Sequence, residues 1–166
     1  MRKAGVSIKD LMRRQAREGE VVYISIRPER VQFPREVDTV YADTSHGLDG
    51  DHYAGGADGK RQVTLINEEH IQAVASFVGE AQLDPGLLRR NIVVKSINLL
   101  SLKDKEFSIG EAVLRMTGLC HPCSRMEENL GGGGYNAMRG HGGITATIVK
   151  SGMIRKGDKL VLMNDE

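Results

Sequence analysis

Glycine punctuation sets the limits on what this chain can fold into. GLDGDHYAGGADGK, residues 47–60, holds five glycines and three aspartates, and GLCHPCSRMEENLGGGGY, residues 118–135, carries four glycines in a row. Over the whole chain glycine supplies 20 of 166 residues, about 12% against a usual ~7%. Glycine reaches positive φ without strain, so such a chain turns often and builds few long helices.

Between the turns lie short β-branched and aromatic runs. VVYISIRP, residues 21–28, reads as a strand closed by Pro28, and VDTVYAD (37–43), QVTLI (62–66) and NIVVKSI (91–97) read as further strands. One stretch breaks the pattern. NEEHIQAVASFVGE, residues 67–80, has Asn67 as a cap, acids in its first turn, and Ile71, Val74, Ala75 and Val78 on one helical face. A shorter helix is expected at 7–16, SIKDLMRRQA, where Ser7 and Asp10 have capping-box spacing and Ile8, Leu11 and Met12 share a face. FSIGEAVLRM (107–116) and MIRKGDKLVLM (153–163) each place a tight glycine turn before an apolar strand. Repeated short strands favour a barrel or sandwich that hides its edges. The expectation is one mostly-β domain with one or two helices, preceded by a helical extension over residues 1–20.

Charge excludes some functions. Lys plus Arg is 23 and Asp plus Glu is 22, so no whole-chain field favours nucleic acid or an anionic membrane, and any anion site must be local. The N-terminus has no apolar run of the length a signal peptide or membrane span needs. Two cysteines cannot make a secreted disulfide framework. These features lead to an expectation of a cytoplasmic protein with reduced thiols.

The two cysteines, Cys120 and Cys123, leave four readings open. A thiol–disulfide pair of thioredoxin type needs the motif early, before a long helix, with a later proline; only 43 residues follow Cys123, none of them proline. A structural zinc joined by His121 or His141 needs a second chelating pair, and the sequence offers none. Two buried small residues form the third reading. The fourth is a working thiol at Cys123: His121, Arg125, Arg139 and His141 lie close in sequence, and cationic neighbours favour a thiolate. The glycines that follow then read as a mobile wall of an anion-accepting cleft, with Cys120 as a neighbour that tunes the thiol.

Other candidates for that cleft are His52, in the glycine-rich loop, and Lys60 and Arg61, ahead of a strand. GADGKR is not a phosphate loop, because it lacks the early glycine, the Ser or Thr after Lys, and the following helix. Arg89, Arg90 and Asn91 form a positive corner ahead of strand IVV, suited to phosphate or carboxylate. His70 reads as a surface residue.

Four ordered stretches together resemble the MOSC domain, the molybdenum-cofactor sulfurase C-terminal domain family: GLDGDHYAGG (47–56), LRRNIVV (88–94), FSIGEAVLRMTGLCHPCSRME (107–127) and RGHGGITATIVKSGMIRKGDKLVL (139–162). The resemblance runs from about Ile24, and the corresponding domain is expected over 21–166. It implies a β-barrel with a cleft, and places the family's cysteine on Cys123. In sulfurase-type members that cysteine is thought to receive sulfur as a persulfide and pass it to a metal–sulfur or molybdenum centre. In larger relatives it ligates the molybdenum of a pterin cofactor, and those proteins reduce N-hydroxylated compounds. Neither their separate N-terminal barrel, a ferredoxin-type extension nor a pyridoxal-phosphate site is expected here. The expectation is thus a sulfur carrier or sulfurtransferase acting through Cys123, with a cysteine desulfurase as donor and a molybdenum or iron–sulfur centre as acceptor. The alternative is a module in which Cys123 only ligates molybdenum. Neither nucleic acid nor membrane is expected as a partner.

Overall fold

The computed structural model describes residues 5–30, 32–53, 55–57 and 59–164. Residues 1–4 of the expected extension, and Ala54 and Asp58 of the glycine-rich loop, lie outside them.

Seven strands close a barrel. In order around the ring they are β1 (Gly19–Ile26), β11 (Lys159–Leu162), β7 (Glu106–Ile109), β8 (Ala112–Leu119), β9 (Ile144–Lys150), β5 (Val63–Asn67) and β6 (Ile92–Lys95), with β6 pairing back to β1. Short β2 (Arg35–Glu36) hangs on β1, while β3 (Thr39–Asp43), β4 (Gly47–Leu48) and β10 (Gly152–Arg155) make a second sheet. Every barrel pair is antiparallel except β5–β6, which helix α2 (Glu68–Phe77) connects.

Period-two alternation fills the interior. Val63 and Leu65, Ile92 and Val94, Ile144, Ala146 and Ile148, Leu114 and Met116, and Phe107 and Ile109 all point into one buried apolar core. The barrel is therefore solid, and a ligand site has to be built on its rim or outer wall. Residues of opposite phase, Ile66 and Val93, join Tyr23, Ile71, Val74, Leu88 and Met126 in a second apolar layer under the helices. A β-bulge between Val21 and Tyr23 breaks the phase of β1, so that Val22 and Tyr23 both serve this outer layer while Val21 and Ile24 stay inside.

The mostly-β barrel matches the expectation, and the helix count exceeds it. Besides α1 (Ile8–Arg13) and α2, the chain forms α3 (Ser124–Leu130) and α4 (Gly134–Met138) on either side of the glycine run. The Ser7–Asp10 capping box forms as expected, but α1 buries no residue: Ile8, Leu11 and Met12 stay exposed. Asn67 stands at the N-cap of α2 without capping it. Its buried amide instead donates to the Ile97 carbonyl at 2.6 Å and accepts from the Leu99 N–H at 3.0 Å, tying the end of β5 to the turn after β6. Among the described residues, no helix is long and apolar enough to cross a membrane.

Candidate functional site

At one rim of the barrel the end of β1 and the starts of β5 and β6 meet. Ser25 N–H donates to the Asn91 carbonyl at 2.7 Å, and Asn91 N–H donates to the Thr64 carbonyl at 3.1 Å. The Asn91 side chain completes the junction. Its oxygen accepts from the Thr64 N–H and hydroxyl at 3.0 and 3.1 Å, and its nitrogen donates to the Ser25 carbonyl at 3.2 Å. Above this junction opens a cleft of about 450 Å³.

Six arginines line the cleft: Arg27, Arg30, Arg61, Arg89, Arg90 and Arg125. Among the described residues one carboxylate, Asp51, faces them. A chain with nearly balanced charge has concentrated its cations here. Burial pushes the Arg27 guanidinium below its ordinary value, and Arg125 and Arg30 push the same way while Asp51 opposes them. Arg90 is likewise lowered, first by burial and then by Arg61 and Arg27, with both cysteines pulling upward. Like charges are being held together, which is the condition an arriving anion relieves.

The arginines are not equivalent. Arg90 is 6% exposed, and its guanidinium donates to the carbonyls of Gly142 at 2.7 Å, Leu88 at 2.9 Å and Cys120 at 3.5 Å. It is a strut that joins three loops. The approach it braces depends on glycine: a Cβ on Gly142 would collide with the Cys120 carbonyl, and one on Gly143, at φ +87°, with the Leu65 carbonyl. Arg27 and Arg89 each donate to the Arg30 carbonyl at 3.1 Å, which stiffens the 27–30 turn. Arg27 N–H donates to Asp51 at 2.8 Å and the Arg27 carbonyl accepts from His52 N–H at 2.6 Å, so the glycine-rich loop is pinned to the same turn. Among the described residues, the Arg30 and Arg125 guanidiniums have no hydrogen-bond or ion-pair acceptor.

The two thiols are separated by burial. Cys120, 2% exposed, follows the last residue of β8 with its N–H on the Gly143 carbonyl at 2.8 Å, and Arg61 Nη2 lies 3.7 Å from its sulfur. Cys123 is exposed, lines the cleft and stands one residue before α3. Both are free thiols. Among the described residues no three His, Cys, Asp or Glu side chains come together as a metal site, so the zinc reading finds no ligand set.

Of the residues singled out from sequence, Cys123, Arg125, His52, Arg61, Arg89, Arg90 and Asn91 meet at the cleft. Lys60 instead faces a separate shallow groove beside Arg115 and Thr117. His121 and Arg139 are exposed and do not line the cleft. His141 packs edge-on against His70, ring centroids 5.1 Å apart, and beside Phe77, with its buried Nδ1 lacking a partner. His70 is thus half-buried, and burial first, then His141, holds it below its ordinary value. The glycine run is no cleft wall. Gly131 and Gly133 take positive φ to reverse the chain between α3 and α4, and the Glu127 carboxylate accepts from Gly133 N–H at 2.7 Å and Tyr135 N–H at 2.9 Å. Sequence reasoning missed Arg27, Arg30, Asp51 and Thr64. The signal for the arginines was present in SIRPER, where Pro28 ends a strand between two cations.

The structure thus joins a closed barrel to an exposed thiol on an arginine-lined rim cleft. The MOSC domain family model matches residues 43–161, and the chain belongs to that family. Its fold is similar to that of YuaD from Bacillus subtilis, with a TM-score of 0.78, 18% identity, and 90% of this chain and 98% of that one covered. YiiM from Geobacillus stearothermophilus gives 0.72 at 17% identity, covering 88% and 75%, and YiiM from Escherichia coli gives 0.68 at 17%, covering 89% and 71%. At these identities the likeness is one of fold. Among curated proteins none matches the chain.

Proposed function

We propose that this protein is a sulfur carrier that works through Cys123, with the arginine cleft holding the anionic part of whatever delivers or receives the sulfur. The observation that carries the reading is the exposed Cys123 thiol in a cleft of about 450 Å³ where, among the described residues, six arginines face one carboxylate. In the forward step the Cys123 thiolate attacks the outer sulfur of a donor, the donor's sulfur–sulfur bond breaks and the donor leaves with the electron pair. The resulting persulfide later yields its outer sulfur to a nucleophilic acceptor and restores the thiolate. Arg30, Arg61 and Arg125 hold the partner's negative charge, and Arg90 and Asn91 keep the rim in place.

MOSC domains are associated with the molybdenum cofactor, and the donor set fits such a ligand. Guanidinium forks suit a pterin phosphate, and a thiolate is the soft ligand that molybdenum prefers. The cofactor, when bound, supplies a redox-active metal. The cleft's volume favours a second reading, in which Cys123 ligates that metal and transfers nothing, because a single sulfur atom needs far less room. A cysteine desulfurase is the expected donor for the carrier reading, and a molybdenum or iron–sulfur enzyme the expected acceptor, in the cytoplasm.

Mass spectrometry of the reduced protein after polysulfide treatment, beside metal and pterin analysis of the freshly purified protein, tests both. The carrier reading expects one added sulfur on Cys123 that a thiol or cyanide acceptor removes. Stoichiometric molybdenum and pterin with an unmodifiable Cys123 gives the site to the second reading.

A further inference from the structure

We infer that the cleft takes its sulfur directly from a small anionic sulfane-sulfur donor of the thiosulfate or glutathione-persulfide kind, so that the protein has sulfurtransferase activity without a protein donor. The inference rests on the carrier reading of Cys123 and adds the chemical class of the substrate.

Size is the first argument. A cleft of about 450 Å³ has the dimensions of a small-molecule site, typically ~300–1,000 Å³. Charge is the second. A thiolate and an anionic donor repel each other, and two unit charges at about 4 Å cost roughly 1 kcal/mol even in water and more in a partly enclosed site. The reaction therefore needs fixed cations, and the cleft supplies them. Among the described residues, Arg30 and Arg125 reach it with guanidiniums that have no acceptor, and Arg61 has the Cys120 sulfur as its hydrogen-bond partner. Access is the third argument: Cys123 is exposed on the cleft wall, whereas Cys120 is buried behind Arg61.

With thiosulfate the step balances without a redox partner. The Cys123 thiolate forms a bond to the outer sulfur, the sulfur–sulfur bond of the donor breaks, and sulfite departs with the electron pair, leaving the Cys123 persulfide anion. The departing group gathers negative charge as the bond breaks, and the guanidiniums stabilise that charge where it develops. With cyanide as acceptor the outer sulfur leaves as thiocyanate and the thiolate is restored.

The test mixes the full, reduced chain with thiosulfate or glutathione persulfide, and with colloidal elemental sulfur as an uncharged sulfane-sulfur donor that requires no anion site. Expected are one sulfite released per chain from thiosulfate, one sulfur gained on the Cys123 peptide, and thiocyanate on adding cyanide. Arg125→Gln and Arg30→Gln each raise KM for the anionic donors about tenfold, equivalent to ~1.4 kcal/mol of binding, and slow loading by uncharged elemental sulfur far less. Arg125→Lys restores part of the loss, and added salt raises KM in the parent more than in the Gln variants. The ratio of kcat/KM for the two anionic donors identifies the preferred one. Loading by elemental sulfur but by neither anionic donor overturns this inference and leaves the carrier reading standing. Loading by none of the three removes both. Anionic-donor transfer that is indifferent to Arg30 and Arg125 also overturns it.

Discussion

The floor and the walls of the cleft are built from the same residue type and use it oppositely. On the floor, Arg90 gives its donors to three backbone carbonyls, and Asn91 and Thr64 give theirs to β1 and to each other. On the walls, the Arg30 and Arg125 guanidiniums meet no acceptor among the described residues. The difference teaches that an arginine's role here is set by what carbonyls the fold brings within its reach. Where loops converge the side chain becomes a strut. Where they diverge it keeps its donors for a ligand.

The largest effect should come from the floor. Arg90→Met leaves the Leu88, Cys120 and Gly142 carbonyls without their donor, and urea denaturation should show a loss of about 3 kcal/mol or more. Arg125→Gln should stay within roughly 0.5 kcal/mol of the parent, and equal losses at both positions would erase the distinction. The thiols offer a contrast of about a hundredfold in alkylation rate, on the general dependence of reactivity on exposure. Cys123 should label in the native protein, and Cys120 only as the protein opens.

Binding sharpens the wall side. Pyrophosphate should raise Tm, because it brings negative charge to a cleft where burial first, and neighbouring arginines after it, hold Arg27 and Arg90 below their ordinary values. At a ligand concentration of a hundred times Kd the gain is about 2.7 kcal/mol. Arg30→Gln and Arg125→Gln should shrink this shift without lowering the Tm of the free protein, as calorimetry can read.

The smallest expected effect concerns Glu127, outside the cleft but next to α3. The Tyr135 and Gly133 N–H bonds hold its carboxyl below the usual value. A depressed carboxylate contributes stability above its unfolded pKa and loses it as pH falls through the folded pKa. Protection of the Gly133 and Tyr135 amides, measured against their intrinsic exchange rates, should therefore fall as pH drops below the usual carboxylate value, and Glu127→Gln should already show reduced protection at neutral pH. Unchanged exchange in that variant would mean that the glycine turn orders itself.

Much of the barrel was legible because it depends on periods of two and on where glycine stands. VTLI and IVV needed no neighbours to be read as strands, and the Ser7–Asp10 box formed where its spacing put it. Asn67 was misassigned because a cap and a buried cross-link ask for the same side chain, and only the arrival of Ile97 and Leu99 chose between them. Helices α3 and α4 were hidden by the glycine run, whose two positive-φ turns join short helices instead of ending order. At the site, Arg89, Arg90 and Arg61 were legible as cations ahead of strands, while Arg27 and Arg30 were not: they trail β1 and reach the cleft because β1 pairs antiparallel to β6.

By itself, then, the sequence determined the strands, the turns and the nomination of Cys123 over Cys120, since these follow from local propensity and neighbouring charge. Tertiary structure alone decided that the barrel is filled, that Lys60, His121, Arg139 and His141 do not line the cleft, and that Arg90 serves the backbone while Arg125 faces the cleft. Those outcomes turn on which distant carbonyls and cations closure of the ring brings together, and no local pattern of residues encodes that distance.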